Sequence, residues 1–185
     1  MVDIQQRSHL TPGVGEQQFR DLMAAVCAPV TVVTCVDGAS PQGATVSAFG
    51  SLSLDPPLIS IALDLRSTVL ATIRDSGRFG VNVLSEHQAE TAMRFAARSA
   101  DRFAETVWTW DQGLPRLAGS TGWLACDVHA VVPAGDHELV IGHVAAAARA
   151  RRAPLVYAER TFGTHSRLVP GPVVSMSERV AACAR

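Results

Sequence analysis

GATVSAFGSLSLDPPLISIALD, residues Gly43–Asp64, places many small and hydroxyl side chains directly before a strongly apolar run. Apolar and polar residues alternate through Gly43–Leu54, which predicts one strand with two unlike faces. Asp55-Pro56-Pro57 interrupts the pattern, and Leu58–Leu63 predicts the next strand. The hydroxyl residues are therefore either the polar face of a half-exposed strand or a cradle for a bound ligand.

Length and composition indicate a single globular domain. The chain has 185 residues, of which 48% are hydrophobic and 18% charged, with a net charge of −1. This balance favours neither nucleic acid nor an anionic membrane surface as a partner. No apolar run is long enough to span a bilayer, and no secretory leader is recognisable, so the sequence predicts a cytoplasmic protein.

Periodicity predicts more strands than helices. Helices are expected from Glu16 until Pro29 stops the pattern, over Ser67–Asp75, and over Ala89–Ala97 behind a capping box at Ser85–Gln88. The remaining strands are expected at Val30–Val36, Arg78–Leu84, Gly122–Val132, Leu139–Arg149 and Pro154–Glu159. Residues 99–120 are expected to be irregular. Because most strands are joined by short turns, the pattern predicts a mainly β protein with peripheral helices around an antiparallel sheet or barrel.

The common catalytic and metal motifs are absent from the sequence. It contains no complete dinucleotide fingerprint, P-loop, GxSxG or HExxH. His129, His137 and His143 lie near two aspartates around the predicted hairpin, but turn and strand histidines that face solvent explain them better than a metal site does. The four cysteines have no metal-ligand spacing. We therefore expect no metal.

Arg66-Ser67-Thr68 begins a predicted helix directly after the third strand. Hydroxyl groups and free backbone N–H groups at a helix start favour a phosphate. This position supports the cradle interpretation of the opening stretch, with a ligand that has a polar chain and a phosphate end.

Four segments occur in a recognisable order: GATVSAFGSLSLDPPLISIAL, RFGVNVL, AGDHELVIGHV and PLVYAERTFG. Over about residues 16–165 they resemble the short-chain flavin reductases, the reductase components of two-component flavin monooxygenases. The resemblance implies an antiparallel split β-barrel (the FMN-binding split barrel) over residues 16–168. Residues 1–15 would be a flexible lead-in, and residues 169–185 a tail without a family role.

The same resemblance implies an activity and its partners. The chain would transfer a hydride from NADH, or from NADPH, to FMN or FAD, and would supply the reduced flavin to a partner monooxygenase. It would act as a homodimer. A split-barrel oxidase with fixed FMN and a non-catalytic flavin- or haem-binding protein are the alternatives. The choice between FMN and FAD stays open, and NADH is favoured over NADPH.

Site residues follow from the family pattern. The segments matching flavin contacts contain Thr45, Val46, Ser47, Ser51, Ala62, Asp64, Ser67, Thr68, Arg102 and Phe103. Ser67 and Thr68 would meet the ribityl phosphate. Those matching NAD(P)H contacts contain Gly135, Asp136, His137 and Phe162, whereas Tyr157 would pack on the barrel.

Overall fold

Strands dominate the computed structural model, which describes residues 13–97 and 102–165. Its helices are α1 (Glu16–Ala24), α2 (Thr68–Ser76) and α3 (Ala89–Ala96). Its strands are β1 (Ala28–Pro29), β2 (Thr31–Asp37), β3 (Ser40–Val46), β4 (Phe49–Ser53), β5 (Leu58–Asp64), β6 (Arg78–Val83), β7 (Trp108–Asp111), β8 (Leu114–Leu117), β9 (Gly122–Ala134), β10 (His137–Arg149), β11 (Val156–Ala158) and β12 (Thr161–Gly163). The predicted tail lies outside the described residues, as does most of the predicted lead-in, and the domain bounds stay a prediction.

Seven antiparallel strands form the main sheet in the order β3-β2-β6-β9-β10-β5-β4. The outermost strands, β3 and β4, are joined only by Ser47 and Ala48. A connection this short spans at most about 11 Å, so the two edges must lie side by side and the sheet must curl into a barrel. The mainly β, antiparallel split-barrel prediction is confirmed.

The prediction of one strand over Gly43–Leu54 is wrong, because this stretch forms β3 and β4. The Phe49 N–H donates to the Ser47 carbonyl at 2.9 Å, which turns the chain between the strands. The Ala62 N–H donates to the Ala48 carbonyl at 3.0 Å and holds the connection against β5. Alternation continues across the break, so the residue pattern does not reveal that the chain moves to the opposite sheet edge.

Two hairpins depart from the predicted elements. Residues 99–120, expected to be irregular, contain β7 and β8 around Gln112 and Gly113, whose φ angles are 53° and 74°. The β11–β12 turn uses Glu159 and Arg160 at φ 50° and 57°. A glycine normally signals a turn with positive φ, and only the β7–β8 turn contains one. The sequence therefore gives no sign of the turn that leads into β12.

Both faces of β2 are buried, which explains its nearly unbroken run of β-branched residues. Val33 and Cys35 pack inside the barrel with one face of α2, whereas Val32 packs outward in the cluster that includes α3. Burial raises the pKa of the Cys35 thiol to about 12. The packing of α2 against this core fixes the position of its first turn at the barrel rim.

The helix predicted from Glu16 forms as α1, but it ends at Ala24 rather than at Pro29, and no other part of residues 13–97 and 102–165 buries its apolar face. Phe19, Leu22 and Met23 expose 54%, 66% and 45% of their surfaces. An amphipathic helix normally packs such a face against a core.

Replacing Asn82 with alanine is expected to lower the free energy of unfolding by about 1–3 kcal/mol. Asn82 is fully buried, its Nδ2 donates to the Val32 carbonyl at 3.2 Å, and its Oδ1 accepts from the Leu117 N–H at 2.7 Å. The substitution leaves that N–H without its acceptor. Urea unfolding measures the loss, with Thr109→Ala on the exposed face of β7 as the matched control. Equal stabilities for the two variants would contradict the assignment.

Candidate active site

A cleft of about 810 Å³ opens between β3, the start of α2 and the end of α3. Its lining residues are Ala44, Thr45, Asp64, Arg66, Ser67, Thr68, Val69, Phe95, Ala96 and Arg102. Five of the ten residues expected to bind flavin are in this set: Thr45, Asp64, Ser67, Thr68 and Arg102. The cleft has the volume of a small-molecule site.

The start of α2 forms one end of the cleft, as the sequence predicts. Ser67 is the N-cap, and its Oγ accepts from the Leu70 N–H at 3.4 Å. The Ser67 hydroxyl hydrogen can therefore be donated elsewhere. Within the described residues, the N–H groups of Thr68 and Val69 have no protein acceptor. Three donors at a positive helix end make this an anion site.

The Arg66 guanidinium adds a positive charge to the cleft, and the Asp64 carboxylate holds this group in place. Asp64 Oδ1 accepts from the Arg66 backbone N–H at 2.8 Å and from Nε at 3.0 Å, while Oδ2 accepts from Nη2 at 2.7 Å. These bonds hold the pKa of the Asp64 carboxyl well below its usual range. The fork fixes the direction of a guanidinium whose side chain is 82% exposed.

Arg102 supplies a second cation from the opposite wall. It donates to the Gly43 carbonyl, and its buried Nε has no hydrogen-bond partner in the described part of the chain. Asp64 carries the opposite charge in this lining, but Arg66 already pairs with it. The remaining positive charge of Arg102 favours an anionic ligand.

Thr45 lines the cleft and also makes a hydrogen bond that joins two elements of the fold. Its hydroxyl donates to the Ala92 carbonyl of α3 at 2.6 Å, which ties β3 to α3. Beside it, Gly43 is required by close packing, because a Cβ there would lie 2.9 Å from the Phe95 ring. These contacts set Phe95 in the cleft wall.

The other five expected flavin residues do not line the cleft. Val46 and Phe103 are buried in the core, and the Phe103 ring lies 5.0 Å from that of Phe95, centroid to centroid. Ser47 is exposed just after β3, and Ser51 is exposed on β4. Ala62 lies on β5, where its N–H bonds to the Ala48 carbonyl in the β3–β4 connection. Their direct contact with flavin stays a prediction.

The Gly135-Asp136-His137 turn lies beside the cleft. Gly135 has φ 68°, and His137 is the first residue of β10, where it pairs with Asp64 of β5. The Leu65 N–H donates to the Asp136 carbonyl at 3.1 Å. Asp136 Oδ1 lies 2.7 Å from His137 Nδ1, and this contact lowers the pKa of the Asp136 carboxyl.

Phe162 does not line the cleft. Its ring packs against Tyr157, with 5.1 Å between ring centroids, in the apolar cluster that also contains Phe95. The packing role expected for Tyr157 is confirmed, and the nucleotide role of Phe162 stays a prediction.

Half of the residues that line the cleft were not among the site residues predicted from the sequence: Ala44, Arg66, Val69, Phe95 and Ala96. Arg66 has a local signal, since it immediately precedes the N-cap. The other four have apolar side chains that the sequence does not distinguish from core residues. In the described ranges, no three His, Cys, Asp or Glu side chains are grouped to hold a metal.

Comparisons with known proteins show which family the chain resembles. A family model described as "Flavin reductase like domain" matches residues 23–166. NADH:riboflavin 5'-phosphate oxidoreductase of Streptomyces pristinaespiralis is 42% identical over 134 residues, which cover 71% of this chain and 76% of that protein. The reductase subunit HsaB of a flavin-dependent monooxygenase from Rhodococcus jostii is 35% identical, with 86% of this chain and 84% of that protein covered.

A solved structure shares the fold. NADH:FAD oxidoreductase SgcE6 of Streptomyces globisporus, in complex with NAD and FAD fragments, superposes with a TM-score of 0.81 at 30% identity. The match covers 88% of this chain and 99% of that one. On this sequence match, this fold and this anion-binding cleft, the chain belongs to the flavin reductase-like domain family.

Proposed function

We propose that the chain is an NAD(P)H-dependent flavin reductase that reduces FMN or FAD and delivers the reduced flavin to a partner monooxygenase. The anion site at the start of α2, open to a cleft beside the Gly135-Asp136-His137 turn, is the observation that carries this function. The relatives are named as NADH:flavin oxidoreductases and as a monooxygenase reductase subunit, which supports it.

The cleft residues fit a flavin with a phosphate end. Ser67 and the N–H groups of Thr68 and Val69 would donate to the phosphate, as would the Arg66 Nη1, which the bonds to Asp64 leave free within the described residues. The ribityl chain would then run toward β3, where the Thr45 hydroxyl oxygen can still accept a bond. Bound flavin supplies the chemistry by accepting a hydride from nicotinamide.

The pyridine nucleotide would approach the cleft from the side where β5 pairs with β10. His137 is half-buried, is oriented by Asp136 and lies across from Asp64 at the cleft margin. We assign His137 to positioning the pyridine nucleotide. Proximity of the two rings is the main requirement for hydride transfer, so a positioning group at this margin acts directly on the rate.

The exposed phosphate end suits a flavin that must leave after reduction. Arg66 is exposed, and the remaining donors are a hydroxyl and backbone N–H groups at the surface. Charge-assisted bonds at exposed sites contribute little, because solvent competes with them. Weak binding of this kind permits exchange with a monooxygenase.

Steady-state kinetics over the four flavin and nucleotide pairs test the function. Absorbance of NADH and NADPH is followed with and without added FMN or FAD. We expect flavin-dependent oxidation of NADH, with free reduced flavin detectable by its transfer to an oxidant. No oxidation with either flavin would overturn the proposal. A flavin retained through purification and reduced without exchange would favour an oxidase with fixed FMN.

We infer that a second copy of the chain covers the exposed apolar side chains of α1. Phe19, Leu22 and Met23 form a helix face with no cover within the described residues, and Leu52 and Leu54 of the β4 region are also exposed. Light scattering is expected to give the mass of two chains, and Leu22→Asp is expected to shift it toward one. Glu16→Gln on the same helix is the control. Wild-type protein with the mass of one chain would contradict the dimer.

We also infer a cytoplasmic location. The helices in the described ranges include none with the length and apolar character needed to cross a bilayer. Cys27, Cys35 and Cys126 are free thiols, which a reducing compartment maintains.

A further inference from the structure

A buried carboxylate that the proposed reaction does not use follows His137 directly in the chain. Glu138 is only 5% exposed. It shares one face of β10 with Val140, which belongs to the barrel core, so its side chain points into the end of the barrel. Its Oε1 accepts from Nη2 of Arg74 in the last turn of α2. Within the described residues, its buried Oε2 has no hydrogen-bond partner.

Stability alone does not explain this ion pair. The Glu138 side chain is 7% exposed and that of Arg74 is 48% exposed. Burying a carboxylate costs free energy that a half-exposed partner offsets only in part, and an unpartnered oxygen adds to the cost. Replacing such a pair with apolar side chains of similar volume is often neutral or stabilising. What the pair adds is direction, because a charge-assisted hydrogen bond is directional and apolar packing is not.

The direction of α2 sets the direction of the donors in its first turn. The free N–H groups at a helix start point along the helix axis, so they turn when the helix turns. Apolar packing seats α2 on the barrel, and two polar contacts tie its far end. The Val128 N–H of β9 donates to the Gly77 carbonyl at 2.8 Å. The second contact is the pair of Arg74 with Glu138, and it reaches the strand that begins with His137.

We propose that Glu138 and Arg74 are positioning residues, which hold the phosphate site on α2 at a fixed distance and angle from His137. The proposal rests on the proposed flavin reductase function. The near end of α2 is already tied to β10 through β5, because Asp64 pairs with His137 shortly before the helix begins. The ion pair ties the far end of the same helix to the same strand. Flavin held by α2 and nucleotide held by β10 then meet in one geometry, which hydride transfer requires.

This role separates the rate of hydride transfer from the binding of each substrate. Glu138→Met keeps the length of the side chain and removes the pair, and Arg74 is exposed enough to turn to solvent. We expect the rate constant of flavin reduction to fall about tenfold, because the two sites lose their fixed relation. The KM values for NADH and FMN should stay within about twofold of wild type. The midpoint of urea unfolding should not fall.

The rate constant is measured by rapid mixing of NADH with FMN and an excess of enzyme. Glu138→Gln keeps an oxygen that can accept from Arg74, and we expect its rate constant to stay within about threefold of wild type. Arg78→Met with Asp127→Met is the matched control. It removes another pair between two elements, with 3.0 Å between Arg78 Nε and Asp127 Oδ1, from an exposed part of β6 and β9. Its rate constant should equal that of wild type.

Three results would overturn the positioning role while leaving the reductase function intact. The first is a wild-type rate constant in Glu138→Met. The second is a loss of rate in Glu138→Met that comes with a lower urea midpoint and higher KM values for both substrates, which is the result of a purely structural pair. The third is a rate constant in Glu138→Gln as low as that in Glu138→Met. Failure of wild-type protein to reduce either flavin would instead overturn the proposed function.

Discussion

Replacing Arg66 with methionine will weaken FMN binding about twofold to fivefold and leave riboflavin binding unchanged, because the exposed guanidinium would contact only the phosphate, which riboflavin lacks. Arg66 is directed by a carboxylate fork from Asp64 but is largely exposed, so its loss removes a phosphate partner without opening the core. Flavin fluorescence quenching gives both dissociation constants.

Arg149→Met, an exposed position on β10 far along the chain from the cleft, provides the control. It removes the same charge and should leave both constants unchanged. If Arg66→Met weakened FMN and riboflavin equally, Arg66 would not be a phosphate ligand.

Replacing His137 with alanine will raise the KM for the pyridine nucleotide about tenfold, and will raise that for flavin by less. His137 is held by Asp136 at the cleft margin, on the strand that pairs with the Asp64 end of β5. Removing the ring takes away a positioning group for the nucleotide but no flavin-phosphate donor. Steady-state kinetics with each substrate varied in turn measure the split.

His129→Ala on the neighbouring strand β9 is the matched control, because it removes an imidazole of the same hairpin. Its KM values should equal those of wild type. Equal increases in the two KM values for His137→Ala would count against a nucleotide role.

Local sequence patterns predicted the individual strands and helices better than they predicted the closure of the sheet into a barrel. The β-branched run of β2 and the long β9–β10 hairpin follow from residue type and spacing, and both are confirmed. Barrel closure depends on Ser47 and Ala48 joining opposite edges of the sheet, which is a non-local property. Alternation is the same on both sides of this junction, so no sequence period marks it.

The same distinction applies to the site. Ser67 and Thr68 were predictable because a helix start with a hydroxyl cap is a local signal, and α2 begins there. Phe95 reaches the cleft only because α3 packs over Gly43. Val46 shows the converse, since the family resemblance placed it among the flavin contacts but its side chain packs inside the barrel.

A crystal structure of the chain with FMN tests the central claim most directly. The account predicts that the FMN phosphate lies within hydrogen-bond distance of Ser67 Oγ and the Thr68 N–H, with the Arg66 guanidinium beside it. A phosphate bound away from the start of α2, or a flavin bound outside the cleft, would contradict it.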